Sequence, residues 1–126
     1  MMKIWGMTDI GLVRKENQDA YAVRVSEDTG YTMCVVCDGM GGPGGGRLAS
    51  TIAVETFLDA CQGNLRSGMD AQEVRQVADF AVAAANRAVY QRSQTDPSLK
   101  GMGTTLVSVV TWDDQALVSN VGDSRA

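Results

Sequence analysis

The stretch YTMCVVCDGMGGPGGGR, residues 31–47, decides the fold. Its first seven residues, Tyr31 to Cys37, form an unbroken apolar run rich in β-formers, which predicts a strand. Apolar character on both faces further predicts a central strand covered on both sides. The next nine residues, Asp38 to Gly46, hold six glycines and a proline. Ordering such a composition costs too much conformational entropy for regular structure, so a loop is expected. From Arg47 the spacing turns helical. Ala49, Ile52, Ala53, Thr56, Phe57 and Ala60 line one face through Cys61, with Val54 and Leu58 beside them.

Working outward, DAYAVRV (residues 19–25) reads as a strand, and Ser26-Glu27-Asp28-Thr29-Gly30 is turn chemistry. The two apolar runs therefore form a hairpin. Lys3 to Asp9 is a further short strand candidate. Beyond the first helix, Asp70 with Glu73 three residues later is a capping box. It opens a second helix over about 71–92, whose stripe is Val74, Val77, Ala78, Ala81, Ala84, Ala85, Ala88 and Val89. Small residues along that stripe permit close approach to a partner. Pro97, Gly101 and Gly103 mark a loop. TTLVSVVTW (104–112) and ALVSNV (116–121) then read as an antiparallel pair joined at Asp113-Asp114-Gln115. The order β-β-β-α-α-β-β indicates an α+β fold with antiparallel sheet.

Composition narrows the chemistry. The chain has 126 residues, 44% of them apolar, and a net charge of −4 from 11 basic and 15 acidic side chains. That suits one packed domain and gives no bulk attraction for nucleic acid. No apolar run approaches the ~18 residues of a membrane span. Without a single His, the commonest general base and zinc ligand are missing, which excludes His-dependent hydrolases and most zinc enzymes. Cys34 and Cys37 lie on opposite faces of one strand and cannot readily pair. With Cys61 they read as buried thiols rather than a disulfide framework. Met1 to Gly6 lacks the plan of a signal peptide, so the chain reads as cytoplasmic.

Two chemistries compete at the glycine stretch. Gly39-x-Gly41-x-x-Gly44 follows a strand and precedes a helix, as in dinucleotide-binding folds. Against that reading, Asp38 would crowd a pyrophosphate, a second helix follows instead of a parallel strand, and the acidic residue expected after that strand is absent. Gly41-x-x-x-x-Gly46 continues into Arg47-Leu48 and does not complete a phosphate-binding P-loop. A nucleotide-binding module remains the weaker alternative. The stronger reading comes from carboxylates at strand ends. Asp19 begins a strand, Asp38 ends one and Asp123 follows one. Carboxylates and backbone carbonyls are hard-cation ligands, which suits Mg²⁺ or Mn²⁺ and needs no His.

Four segments carry a resemblance. Asp9-Ile10-Gly11-Leu12-Val13-Arg14 with Asn17-Gln18-Asp19-Ala20, then Asp38-Gly39-Met40-Gly41-Gly42, Gly101-Met102-Gly103-Thr104-Thr105-Leu106 and Asn120-Val121-Gly122-Asp123-Ser124-Arg125 stand in family order. Together they resemble the metal-dependent PPM-type (type 2C) serine/threonine protein phosphatases of bacteria. The resemblance implies a four-layer α-β-β-α sandwich of two antiparallel sheets flanked by helices, of which residues 1–126 supply the N-terminal half. It implies hydrolysis of phosphoserine and phosphothreonine in proteins by a hydroxide bridging two Mn²⁺ or Mg²⁺ ions, with a third ion site in bacterial members. Asp38 would bridge the two metals, the Gly39 carbonyl and Asp19 would hold the second, Asp123 would serve the third, and Arg14 would grip the substrate phosphate. Substrates would be phosphoproteins made by a serine/threonine kinase. Met40 stands where animal members carry a His, and Pro43 and Arg47 where many bacterial members carry His and Glu. The alternative within the family is a non-catalytic module that binds without turnover. On the same resemblance, the domain is expected to be cut short after Ala126, and this piece alone to be inactive.

Overall fold

A computed structural model describes residues 19–42 and 44–121. The strand expected over Lys3 to Asp9 lies outside them. The described chain forms β1 (Asp19–Ser26), β2 (Tyr31–Met40), α1 (Gly45–Asn64), α2 (Ala71–Ser93), a 3-10 turn (Pro97–Leu99), β3 (Gly103–Thr104), β4 (Leu106–Trp112) and β5 (Gln115–Val121). All pairings are antiparallel, in the order β1-β2-β4-β5, with β3 also on β2. The α+β expectation therefore holds, and β2 is central.

The hairpin closes as its turn residues direct. Gly30 adopts φ 83°, a left-handed conformation costly for other residues, and its N–H donates to the Ser26 carbonyl at 2.8 Å. The capping box forms as expected. Asp70 accepts from the Glu73 N–H at 2.8 Å, and the Glu73 carboxylate accepts from the Asp70 N–H at 3.0 Å. Both helices lie on one face of the sheet. Val74, Ala78, Ala81, Ala85 and Val89 of α2 are buried, as are Ala49, Ala53, Phe57 and Leu58 of α1. They enclose Met33, Val35 and Cys37 of β2 with Leu106 and Val110 of β4. Tyr31 packs against Trp112 with ring centroids 5.8 Å apart, and its hydroxyl donates to the Arg66 carbonyl at 2.9 Å beyond the end of α1.

Two expectations need correction. First, the glycine stretch is shorter than read: β2 continues through Asp38, Gly39 and Met40, and α1 already starts at Gly45. Pairing of Gly39 with Thr104 and of Met40 with Gly103 supplies the order that glycine itself disfavours. Gly41, at φ 153°, then turns so tightly that an added Cβ would lie 3.2 Å from both the Gly46 nitrogen and the Met102 Cβ. Second, among the described residues β2 is covered on one face only. Tyr31, Met33, Val35 and Cys37 are buried, whereas Val36 is 51% exposed. The outer face of the sheet also exposes Val23, Val25, Val107 and Val118. The described residues thus provide one sheet and one helical layer of the four-layer plan. No described helix is long and apolar enough to cross a membrane.

Candidate metal centre

The β1–β2 register fixes the relation between two of the expected ligands. Asp19 lies directly opposite Asp38. Paired residues point to the same side of a sheet, and alternation along β2 puts Asp38 with Val36 on the outer face. Both carboxylates therefore stand at one end of the exposed valine surface. The Asp38 residue is exposed, and Oδ1 of Asp19 is shielded from solvent.

The main chain of Asp38 is held from the other side. Its carbonyl accepts from the Thr105 N–H at 3.0 Å, and its N–H donates to Thr105 Oγ1 at 3.2 Å. In a strand, successive residues direct their N–H and C=O to opposite edges. Because those of Asp38 face Thr105, those of Gly39 face the β1 edge, where Asp19 stands. The same alternation makes Asp19 and Asp38 a non-hydrogen-bonded pair, the type with Cα atoms only about 4.5 Å apart and side chains close together.

This donor set fits a divalent cation. Two facing carboxylates repel each other until a cation offsets their charge, and an adjacent backbone carbonyl adds a hard oxygen. Among the described residues, no group of three or more His, Cys, Asp or Glu comes together, so they bring only this acidic pair. Arg14 and Asp123, the other two expected site residues, lie outside the described residues. Arg47 is exposed in the first turn of α1.

The inner side of the sheet offers different chemistry. A cavity of about 280 Å³ lies between α2, α1 and β3, lined by Met40, Val89, Tyr90, Met102 and Thr104 among others, and neither Asp19 nor Asp38 borders it. Cys37 faces inward beside Asp38. Burial pushes its thiol up to about 12, a hydrogen bond with Thr104 opposing the rise. Such a thiol is no nucleophile at neutral pH. The nucleotide reading also loses its context, since α1 runs on to α2 and, among the described residues, every strand pair is antiparallel. Thr105 is the residue that the sequence reading left without a role. It stood in a quoted motif, but its bond to Asp38 depends on a pairing that spans 67 positions.

Comparison with known proteins bears on the same elements. A family model described as protein phosphatase 2C matches residues 13–126. The serine/threonine phosphatase stp of Listeria monocytogenes is 34% identical over 118 residues, 94% of this chain and 46% of the relative. Protein phosphatase PhpP of Streptococcus pneumoniae is 36% identical over 124 residues, 98% of this chain and 49% of the relative. The chain thus spans about half the length of the curated relatives it matches. Among solved structures, the S. agalactiae serine/threonine phosphatase superposes with a TM-score of 0.78 at 31% identity, over 93% of this chain and 47% of that one. The catalytic domain of the Ser/Thr phosphatase PstP, solved with two manganese ions, gives 0.65 at 28% identity, over 88% and 44%.

Proposed function

The chain belongs to the protein phosphatase 2C family, and on that premise we propose that it contributes the carboxylate pair Asp19 and Asp38 to the metal centre of a serine/threonine protein phosphatase. The observation that carries the proposal is the direct opposition of Asp19 and Asp38 across β1 and β2, with Gly39 turned toward the same edge. Asp38, Asp19 and the Gly39 carbonyl are the groups on these two strands that would hold divalent ions. Bound there, Mn²⁺ or Mg²⁺ would supply Lewis-acid chemistry, activating a water at neutral pH and offsetting phosphate charge. The β1–β2 pairing holds Asp19 and Asp38 in fixed register, so little reorganisation is needed as charge develops. Arg14, by resemblance, would grip the phosphate oxygens through its planar fork, and Asp123 would help hold a further ion. Residues 1–126 form part of a single phosphatase domain. The substrates are phosphoserine and phosphothreonine proteins, and the reaction takes place in the cytoplasm.

The test is Asp38→Asn in the protein carrying the complete domain. It removes one carboxylate charge and keeps the volume. Mn²⁺-dependent hydrolysis of a phosphopeptide should be abolished while the far-UV CD spectrum stays the same. Activity close to that of the parent would overturn the assignment.

A further inference from the structure

The backbone around Asp38 departs from a regular ladder at one position. Val36 pairs with Val107, and Gly39 pairs with Thr104, both in the same antiparallel register. The intervening step sets Asp38 opposite Thr105, between β3 and β4. In a regular hydrogen-bonded pair, the two residues exchange both N–H···O=C bonds. Here only half of that exchange is kept: the Thr105 N–H reaches the Asp38 carbonyl at 3.0 Å. The other half is made by a side chain, the Asp38 N–H donating to Thr105 Oγ1 at 3.2 Å. The Thr105 carbonyl instead accepts from Thr104 Oγ1 at 2.8 Å. The regular strand is interrupted at Thr105 for this reason.

We infer that Thr105 is a positioning residue for the metal centre, its hydroxyl and N–H bracketing the backbone of Asp38 so that the carboxylate is aimed across at Asp19. The inference rests on the metal-site reading of Asp38 given above. Physically, the bracket fixes the main chain of a ligand from the side opposite its partner strand. Thr suits the task because β-branching restricts χ1, so Oγ1 is held where a carbonyl would otherwise stand. The two bonds to Asp38 also set which edge the Gly39 carbonyl faces. A residue without the hydroxyl leaves the Asp38 N–H unpaired or lets the Thr105 carbonyl swing back into the ladder. Either outcome shifts the strand where the ligand sits. Residues that orient metal ligands typically cost about 10–100-fold in metal affinity when removed.

The experiment compares Thr105→Val, Thr105→Ser and Asp38→Asn in the protein carrying the complete domain. Mn²⁺ binding is measured by isothermal titration, and melting temperature is measured in EDTA. Thr105→Val, nearly isosteric, should weaken Mn²⁺ binding by about 10-fold or more. Thr105→Ser, which retains the hydroxyl, should bind Mn²⁺ close to the parent. A merely structural role predicts that both variants bind Mn²⁺ like the parent and differ only in melting temperature, and that result would overturn the inference. Should Thr105→Val not fold, Thr105→Ala takes its place with the same expectation. Asp38→Asn separates the two levels of the argument. If it abolishes tight binding while Thr105→Val does not weaken it, the positioning role fails alone. If Asp38→Asn binds Mn²⁺ like the parent, the metal-site reading has failed and the positioning role falls with it.

Discussion

On the helix-covered face of the sheet, Met33, Val35 and Val110 are at most 1% exposed, while Val25, Val36 and Val118 on the opposite face of the same sheet are 51–63% exposed. Both faces are largely apolar, so hydropathy alone does not separate them. Only the inner face is closed by elements among the described residues, and it carries the packing that holds the fold. The outer face carries Asp19 and Asp38 at one end. A contiguous apolar surface of this kind marks a contact for another layer. The four-layer plan of the family puts a second sheet face to face with the first, and relatives about twice as long have chain enough to form it. The two faces thus divide the labour. One stabilises this part of the domain, and the other carries the proposed ligand pair at one end.

The division is most sharply broken from the inside. Phe57 is fully buried between α1 and the sheet. Phe57→Ala removes a large side chain from a site that cannot collapse without moving a helix, and should cost about 3–5 kcal/mol. Urea denaturation followed by far-UV CD measures it. A loss below about 1 kcal/mol would mean that the inner face is not the core. From the outside, Val118→Thr swaps a methyl for a hydroxyl on a side chain 63% exposed in residues 1–126. The same measurement should show a change within about 0.5 kcal/mol. It should also show less self-association by sedimentation, since the apolar face becomes wetter. A loss as large as that of Phe57→Ala would erase the distinction between the faces.

How much of this was legible in the sequence differs between the faces. The helix stripes, the capping box and the hairpin followed from local spacing and turn chemistry, and they build the inner face. The end of β2 was misread because Gly39 and Met40 are ordered by β3, more than sixty positions away; such tertiary pairing overrides local propensity. The expected double cover of β2 arose from real apolarity on Val36 and Cys34. What closes that side is not among the described residues. At the site, the ligand types were legible but their opposition was not. Asp19 and Asp38 face each other only once the turn from Ser26 to Gly30 has fixed the register. Thr105 was invisible as a positioning group because a side chain had taken a carbonyl's place in the ladder, which no periodicity reports.

The smallest expected effect uses two cysteines three positions apart on β2, one on each face. Cys34 looks outward and is partly exposed, whereas Cys37 looks inward and is fully buried, as is Cys61 in α1. Burial raises the Cys34 thiol from its ordinary value and pushes those of Cys37 and Cys61 up to about 12. In residues 1–126 near pH 8, a thiol reagent should therefore modify Cys34 first, and Cys37 and Cys61 only as fast as the fold opens. Equal rates for Cys34 and Cys37 would show that the inner face is open. The same shifts carry a pH dependence. The folded state holds its buried thiols neutral to about 12, whereas the unfolded chain ionises them near 9.0. Their contribution to stability is therefore complete below 9.0 and is lost progressively between 9.0 and about 12. The urea midpoint should fall as pH rises through that window, and fall less steeply in Cys61→Ala, whose own cavity cost is the same at every pH. A decline just as steep without Cys61 would assign the alkaline loss to other groups, and leave the two faces distinguished by packing alone.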